Sequence, residues 1–387
     1  MKTICMVAYT NYLTDARPRR EAETLVRRGD KVDFIGLAEE GRPSLEVVNG
    51  VRVFRVRQSR YRGGKETSYV SGYLTFFLRA TLKVWLLFLK ERHDIIYLHT
   101  MPDFIVFVAL LPRILGARVV LNIHDMMPEL FMSKFKVSDR HLLIRLLRLQ
   151  EQVSIKFADK VICVHRPHRD VLVKRGAPGA RITILPNLPD PEAFPKELTP
   201  PAHNGIFRVV YHGTVAKRLG LDIAVRAFAR ALQSCPNARF DIYGDGDFRN
   251  ELDLLIQELG VHKQVYFSKK AFRIEQIAAL LRGASVGLIA NRRDPATDYM
   301  LPVKLLEYVY LSIPAIAPRL YTIQYYFKET ELAFYEPGGL DGLTQTLCRL
   351  YRCEEERRQL ATNALSFVSR FSWDVAKADL YNVVDSW

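Results

Sequence analysis

The sequence predicts an α/β protein built from two parallel-sheet domains that face each other across a cleft. Three observations lead there. Strand-like and helix-like runs alternate through the first half of the 387 residues, the pattern of a parallel sheet covered on both faces. A stretch at 189–202 holds five prolines; proline at that density prevents regular structure and reads as a linker. The alternation then restarts.

In order, the apolar runs at 4–8, 31–36, 51–56, 95–98, 119–123 and 160–164 read as strands, with a late one at 182–185. Helical periodicity lies between them at 19–28, 73–90, 104–115, 140–157 and 167–174. After the linker, strands are expected at 208–212, 238–243, 265–267, 286–290 and 314–317, with helices at 221–232, 248–259 and 273–281. The expected divisions are 1–188, a hinge at 189–205, a second domain at 206–370, and a helix at 371–387. That last helix carries Trp373, Leu380, Tyr381 and Val384, too apolar for a free tail, and should pack back on the first domain. Each array is Rossmann-like, and in such sheets ligands sit beyond the carboxyl ends of the strands.

Composition narrows the classes. An apolar share of 49% describes a well-cored globular chain. Five scattered cysteines without a CxxC pair fit a reducing cytoplasm and argue against structural zinc. No signal peptide is read at the start, and no run reaches ~18 apolar residues without a charge. The net charge of +14 is uneven: residues 1–190 carry 32 Lys and Arg against 19 Asp and Glu, and the remainder 24 against 23. A basic first half attracts anions such as acidic lipid, nucleic acid or a phosphorylated acceptor. Two of its helices look basic and amphipathic, 69–90 and 140–157. Such helices lie on anionic bilayers, or serve as core helices with solvated outer faces.

The candidate chemistry sits at strand ends. In the segment from Asp298 to Glu307, a turn rich in backbone amides precedes a helix carrying Lys304 and Glu307. Amides at a helix start suit a phosphate, and a carboxylate one turn on can accept two hydrogen bonds from a ribose diol. Tyr211-His212-Gly213-Thr214-Val215 follows a strand. Gly213 lets the backbone approach a ligand, the amides of Thr214 and Val215 can face an oxyanion, and Arg218 can clamp a diphosphate. Gly244 and Gly246 end the next strand and can make room for a nucleoside. In the first half, His124-Asp125 ends a strand, where His124 can bond a sugar hydroxyl with Asp125 or Glu129 to orient it; the pattern equally suits a buried, satisfied histidine. His99 is a weaker candidate of the same kind. The cations of Asp15-Ala16-Arg17-Pro18-Arg19-Arg20 can meet an anion or open a solvated helix.

Together these segments resemble the GT-B glycosyltransferases of family 4, a retaining group, over essentially the whole chain. The run from Leu301 to Tyr308, LPVKLLEY, looks like that family's LPxKLxEY variant of its E-x7-E motif. The resemblance implies that Glu307 holds the donor ribose, that His124 contacts the transferred sugar, and that Arg218 binds the diphosphate. Tyr299, beside Asp298, stands where the family has its first carboxylate, so the backbone amides of residues 300–303 (Met300, Leu301 and Val303, around Pro302) are expected to take over that contact. It further implies an acceptor domain followed by a nucleotide-sugar domain, a UDP- or GDP-linked donor, and no metal. The expected activity is transfer of a hexose to an acceptor hydroxyl with retention. The acceptor is expected to be a polyprenyl-diphosphate-linked glycan at the cytoplasmic face of an anionic membrane, in exopolysaccharide or O-antigen synthesis. Two alternatives stay open here: a GT-B sugar-nucleotide epimerase and a basic, non-catalytic module binding nucleic acid or membrane. The aromatics of the basic half sit in apolar runs rather than between cations, which disfavours nucleic acid.

Overall fold

A computed structural model describes residues 1–58, 66–192, 194–195 and 205–387 of the protein. Residues 193 and 196–204 of the expected hinge lie outside them. The chain divides into two compact units, Met1–Pro186 with Asp374–Trp387, and Asn187–Trp373.

The first unit is an eight-stranded sheet: β1 (Thr3–Ala8), β2 (Lys31–Leu37), β3 (Leu45–Val48), β4 (Val51–Val56), β5 (Ile95–His99), β6 (Arg118–Ile123), β7 (Lys160–Cys163) and β8 (Ile182–Ile184), in the order β3-β4-β2-β1-β5-β6-β7-β8. All pairings are parallel except β3 with β4. β5 is buried throughout, and β1 and β6 after their first residue. That explains their unbroken apolar runs, since a sheet covered on both faces has no polar side. The order reverses between β1 and β5, so the carboxyl ends of these strands open a crevice of the kind that takes ligands.

Two departures from expectation have local causes. β3 was not foreseen, although Asn49 and Gly50 announce it: both have positive φ, 48° and 82°, the demand of a two-residue hairpin turn. The helix expected at 104–115 is a 3-10 segment, Asp103–Ala109, followed by a short helix, Leu110–Ile114. Pro112 lacks the N–H that a continuous helix would give to the Val108 carbonyl. Trp85 Nε1 donates to that carbonyl instead, at 3.0 Å.

The second unit holds β9 (Phe207–His212), β10 (Ala238–Tyr243), β11 (Val265–Phe267), β12 (Val286–Leu288), β13 (Ala315–Pro318) and β14 (Ala333–Tyr335), all parallel, in the order β11-β10-β9-β12-β13-β14. Here the reversal falls between β9 and β12. Beyond β13 the structure adds β14 and the helices Tyr321–Tyr326, Leu340–Arg352 and Glu354–Arg370. The terminal helix, Trp373–Asp385, buries Leu380 and Val384. Its C-terminal half meets the first helix of the chain: Arg28 lies over the Tyr381 ring at 4.7 Å and pairs with Asp385 at 2.8 Å.

Candidate functional site

β9 ends at the reversal point of its sheet, and Gly213 follows with φ 109°. The loop is locked against the one after β10. Gly213 N donates to the Tyr243 carbonyl at 2.9 Å, and Val215 N to the Asp245 carbonyl at 3.0 Å. A side chain cannot enter this contact: a Cβ on Gly244 would lie 1.9 Å from the Gly213 oxygen, and one on Gly246 2.0 Å from the Val215 oxygen. These glycines therefore let the two loops pack together, with the Gly213 and Val215 carbonyls where a side chain would stand. The Val215 amide is likewise spent inside the fold rather than offered to an oxyanion. Thr214 is left exposed.

Two cations gather at this loop. Lys304, in the first turn of the helix Val303–Tyr310, bonds the Tyr211 hydroxyl at 2.7 Å. Tyr211 in turn donates to the Thr214 carbonyl at 2.6 Å. A Cβ on Gly213 would sit 3.5 Å from Lys304 Nζ. Burial pushes the Lys304 amine down to about 7; Glu307 opposes the shift and the Arg218 charge adds to it. Arg218 sits in the 3-10 turn Lys217–Leu219, its Nε buried without a partner. Among the described residues neither Arg218 nor Lys304 forms an ion pair. Neighbouring Lys217 and Arg292, by contrast, both bind Asp222, at 3.1 and 2.5 Å. The helix carrying Lys304 starts at Pro302 with no side-chain cap, which leaves its first amides, including Val303, to an outside acceptor.

Glu307 is buried on the same helix, and His212, the last residue of β9, holds it: Nε2 lies 2.5 Å from Oε2. On its other side, His212 Nδ1 lies 3.2 Å from the Tyr308 hydroxyl. Gly287 on β12 gives the Tyr308 ring its place, since a Cβ there would come within 2.4 Å of it. Asp298 is engaged elsewhere. Its carboxylate accepts from the Tyr321 amide at 3.2 Å, and the Tyr299 ring packs edge-on against Tyr321 at 5.6 Å.

A second cluster lies in the first unit, at the carboxyl ends of β1, β5 and β6. His99 Nδ1 and His124 Nε2 are 2.9 Å apart, with the rings nearly parallel. Burial pushes His99 down to about 3 and His124 well below the usual range, with Arg17 adding to the second shift. Both rings are therefore neutral at pH 7. Each keeps its other nitrogen buried and unpartnered, Nε2 of His99 and Nδ1 of His124. Beneath them Glu21 accepts from Tyr97 at 2.5 Å and from Asn122 at 2.9 and 3.0 Å, and burial raises it to about 7. Glu21, His99 and His124 bring one ligand atom each within 4.8 Å, and the Glu21 carboxylate among them is held by Tyr97 and Asn122. The partner of His124 is thus His99, not Asp125 or Glu129: Asp125 pairs with Arg17 at 3.3 Å, and Glu129 binds Arg175. The cations of this loop are engaged as well. Arg17 grips Asp15 through two contacts of 3.0 Å, and Arg19 holds Glu23 at 2.7 Å. They form internal bonds instead of a solvated helix start.

Residues 15–188 match the glycosyl transferase 4-like domain, and residues 200–367 match the glycosyl transferases group 1. The chain belongs to the family 4-like glycosyltransferases of the GT-B fold. This glycosyltransferase is 23% identical to an uncharacterized glycosyltransferase of Methanocaldococcus jannaschii, over 94% of this chain and 91% of that one. It is 26% identical over 202 residues to an exopolysaccharide phosphotransferase of Streptomyces coelicolor, a match spanning 52% of this chain and 20% of that protein. Among solved structures, a sucrose-phosphate synthase of Thermosynechococcus elongatus superimposes with a TM-score of 0.77 at 16% identity, covering 100% and 99% of the two chains. Anabaena HepE in complex with UDP and glucose gives 0.72 at 14% identity, with both chains fully covered.

Within this glycosyltransferase the sequence pointed to Gly213, Arg218, Lys304 and Glu307, and the fold brings them together around β9. It did not point to Tyr211, His212 and Tyr308, which hold Lys304 and Glu307 in place. The available signal was position, because Tyr211 and His212 are the last two residues of the strand that delivers Gly213.

Proposed function

We propose that this chain transfers a hexose from a nucleoside diphosphate sugar to an acceptor hydroxyl, with retention of anomeric configuration. The observation that carries this reading is the pair of unpaired cations, Arg218 and Lys304, at the glycine loop beyond β9. A diphosphate is the anion that two such charges and an uncapped helix start suit best. Charge developing on the departing diphosphate would be met by the guanidinium and the ammonium, so the reading calls for no metal. Glu307, steadied by His212, would take the ribose. The complexes of Anabaena HepE with UDP and with UDP-glucose support a uridine donor, with GDP-linked sugars as the other choice.

His124 would face the transferred sugar as a neutral hydrogen-bonding group, its Nδ1 supplying the missing partner. For the acceptor we propose a polyprenyl-diphosphate-linked glycan at the cytoplasmic membrane face, in polysaccharide assembly. The likeness to an exopolysaccharide enzyme and the basic first half support this. Incubating the purified chain with a panel of nucleotide sugars, and following UDP or GDP release, tests the reading. Release from one donor, lost in Arg218→Ala, is expected. If no donor is turned over and no nucleotide binds, the proposal fails.

A further inference from the structure

The helix Glu66–Lys90 is apolar on two opposite faces. One face carries Tyr73, Phe76, Ala80, Val84 and Phe88, all buried in the core of the first unit. The other carries Leu74, Leu78, Leu82, Leu86 and Leu89, spaced to fall on one stripe, and these are 48%, 66%, 62%, 58% and 59% exposed. A helix that only covers a sheet keeps its outer face polar. By length and composition the helix is able to cross a membrane, but its inner face is already occupied by the domain core, which fits a helix lying along a surface.

The stripe has neighbours. The segment from Asp103 to Ile114 packs beside this helix through Phe77 and Phe104, with ring centroids 5.5 Å apart, and beside the helix Leu142–Phe157 through Phe107 and Phe157, at 5.1 Å. Both add outward apolar residues: Ile114 is 72% exposed, and Leu142, Leu146 and Leu149 are 66%, 53% and 60% exposed. Three adjacent elements thus present leucine to solvent on one side of one sheet, well beyond the scattered exposed residues of an ordinary surface. Cations are set among them. Arg79, Lys83, Arg140 and Arg145 form no ion pair among the described residues. Behind the stripe, an open groove of about 490 Å³ runs between the helix and the β3–β4 hairpin, lined by Leu45, Phe54, Leu82 and Leu86, with Arg79 and Lys83 at its edge.

We infer that this face docks on the surface of an anionic phospholipid bilayer. The leucines would enter the boundary between headgroups and chains, and these cations, of which Arg79 bonds the Arg57 carbonyl and Lys83 lies over the Phe54 ring, would meet lipid phosphates. Charge complementarity decides for lipid over a second copy of the chain, because two copies would bring like-charged faces together. This rests on the membrane-facing acceptor proposed above and assigns the surface that reaches it.

The test uses the full chain and phosphatidylcholine vesicles with or without phosphatidylglycerol. Sedimentation with the anionic vesicles is expected, and roughly fivefold weaker binding for each of Arg79→Ala and Lys83→Ala. The double variant Leu78→Glu, Leu82→Glu should bind at least about tenfold more weakly. Both positions are exposed, so its thermal melting should match the parent. Leu254→Glu, at an exposed leucine of the second unit, should bind as the parent does. Equal sedimentation of parent and double variant overturns the proposal. So does a dimer in sedimentation velocity that the double substitution dissociates. Calorimetry with UDP on the same samples keeps the two readings apart. Nucleotide binding without vesicle binding overturns this face alone, whereas vesicle binding without nucleotide binding supports the face and overturns the donor site.

Discussion

Arg17 and Arg19 in the first unit, and Arg218 and Lys304 in the second, all follow the first strand of a parallel sheet or lie beside it, yet the two pairs are handled in opposite ways. In the first unit each guanidinium is met by a carboxylate, Asp15 with Asp125 for Arg17 and Glu23 for Arg19. In the second, neither cation has an ionic partner among the described residues, and Lys304 is crowded enough that its amine titrates at about 7. Yet the first half of the chain carries nearly all of the net charge. Under the proposed function, the anion site is marked by unspent charge rather than by charge count. A cation already paired has little left to give a ligand, and one held without a partner costs stability that a bound anion restores.

The sharpest way to break this contrast is Arg218→Ala, which should remove about 2–4 kcal/mol of transition-state stabilisation. That is a loss of roughly 30- to 900-fold in kcat/KM, read from nucleotide release. Turnover near the parent rate would show that the unpaired charge is incidental. The converse substitution, Arg19→Met, should cost about 1–3 kcal/mol of folding stability, because it leaves the buried Glu23 without its cation. Nucleotide affinity should not change, and a shift in affinity without a shift in melting would reverse the assignment.

A smaller effect follows from pH. The free Lys304 amine sits at about 7, and a bound diphosphate favours its charged form and raises it. Binding above pH 7 must then take up a proton, so affinity for a nucleotide sugar should be flat below pH 7 and weaken above it by up to about tenfold per pH unit. Calorimetry across this range should show the slope in the parent and none in Lys304→Met. The smallest expected change is in His212→Asn. Losing the hydrogen bond that steadies Glu307 should weaken nucleotide binding by about 0.5–1.5 kcal/mol, with kcat largely kept. Equal losses in both constants would give His212 a more direct part.

What the sequence disclosed and what it withheld divide along physical lines. The buried parallel strands were legible because burial on both faces leaves unbroken apolar runs, as in β1, β5 and β6. Gly213 and Glu307 were legible because a glycine at a strand end and a carboxylate one turn into a helix are local patterns. The hairpin at Asn49-Gly50 was also legible as a local turn signal but was not foreseen. The pairing of Glu307 with His212 was not legible, because it joins residues 95 positions apart and depends on the helix Val303–Tyr310 lying beside the end of β9. The same holds for His99 with His124, whose bond is set by β5 and β6 lying next to each other. Gly244 and Gly246 mark a close approach whose partner the sequence does not name, and in the fold the backbone of Gly213 and Val215 comes close. The Glu66–Lys90 helix looked like either a core helix or a surface one. One of its apolar faces is buried in the core and the other keeps leucine exposed.

The contact between the Gly213 and Gly244 loops bears on how this protein tolerates change. It is made of main-chain atoms, which no substitution deletes. Thr214 and Asp245 can therefore vary without altering the course of the loop, while a single added methyl at Gly244 or Gly246 has nowhere to go. Robustness and fragility are thus separated residue by residue along a stretch a few positions long. A saturation library at 214 and 244–246 should recover wide variety at Thr214 and Asp245 and almost nothing but glycine at 244 and 246.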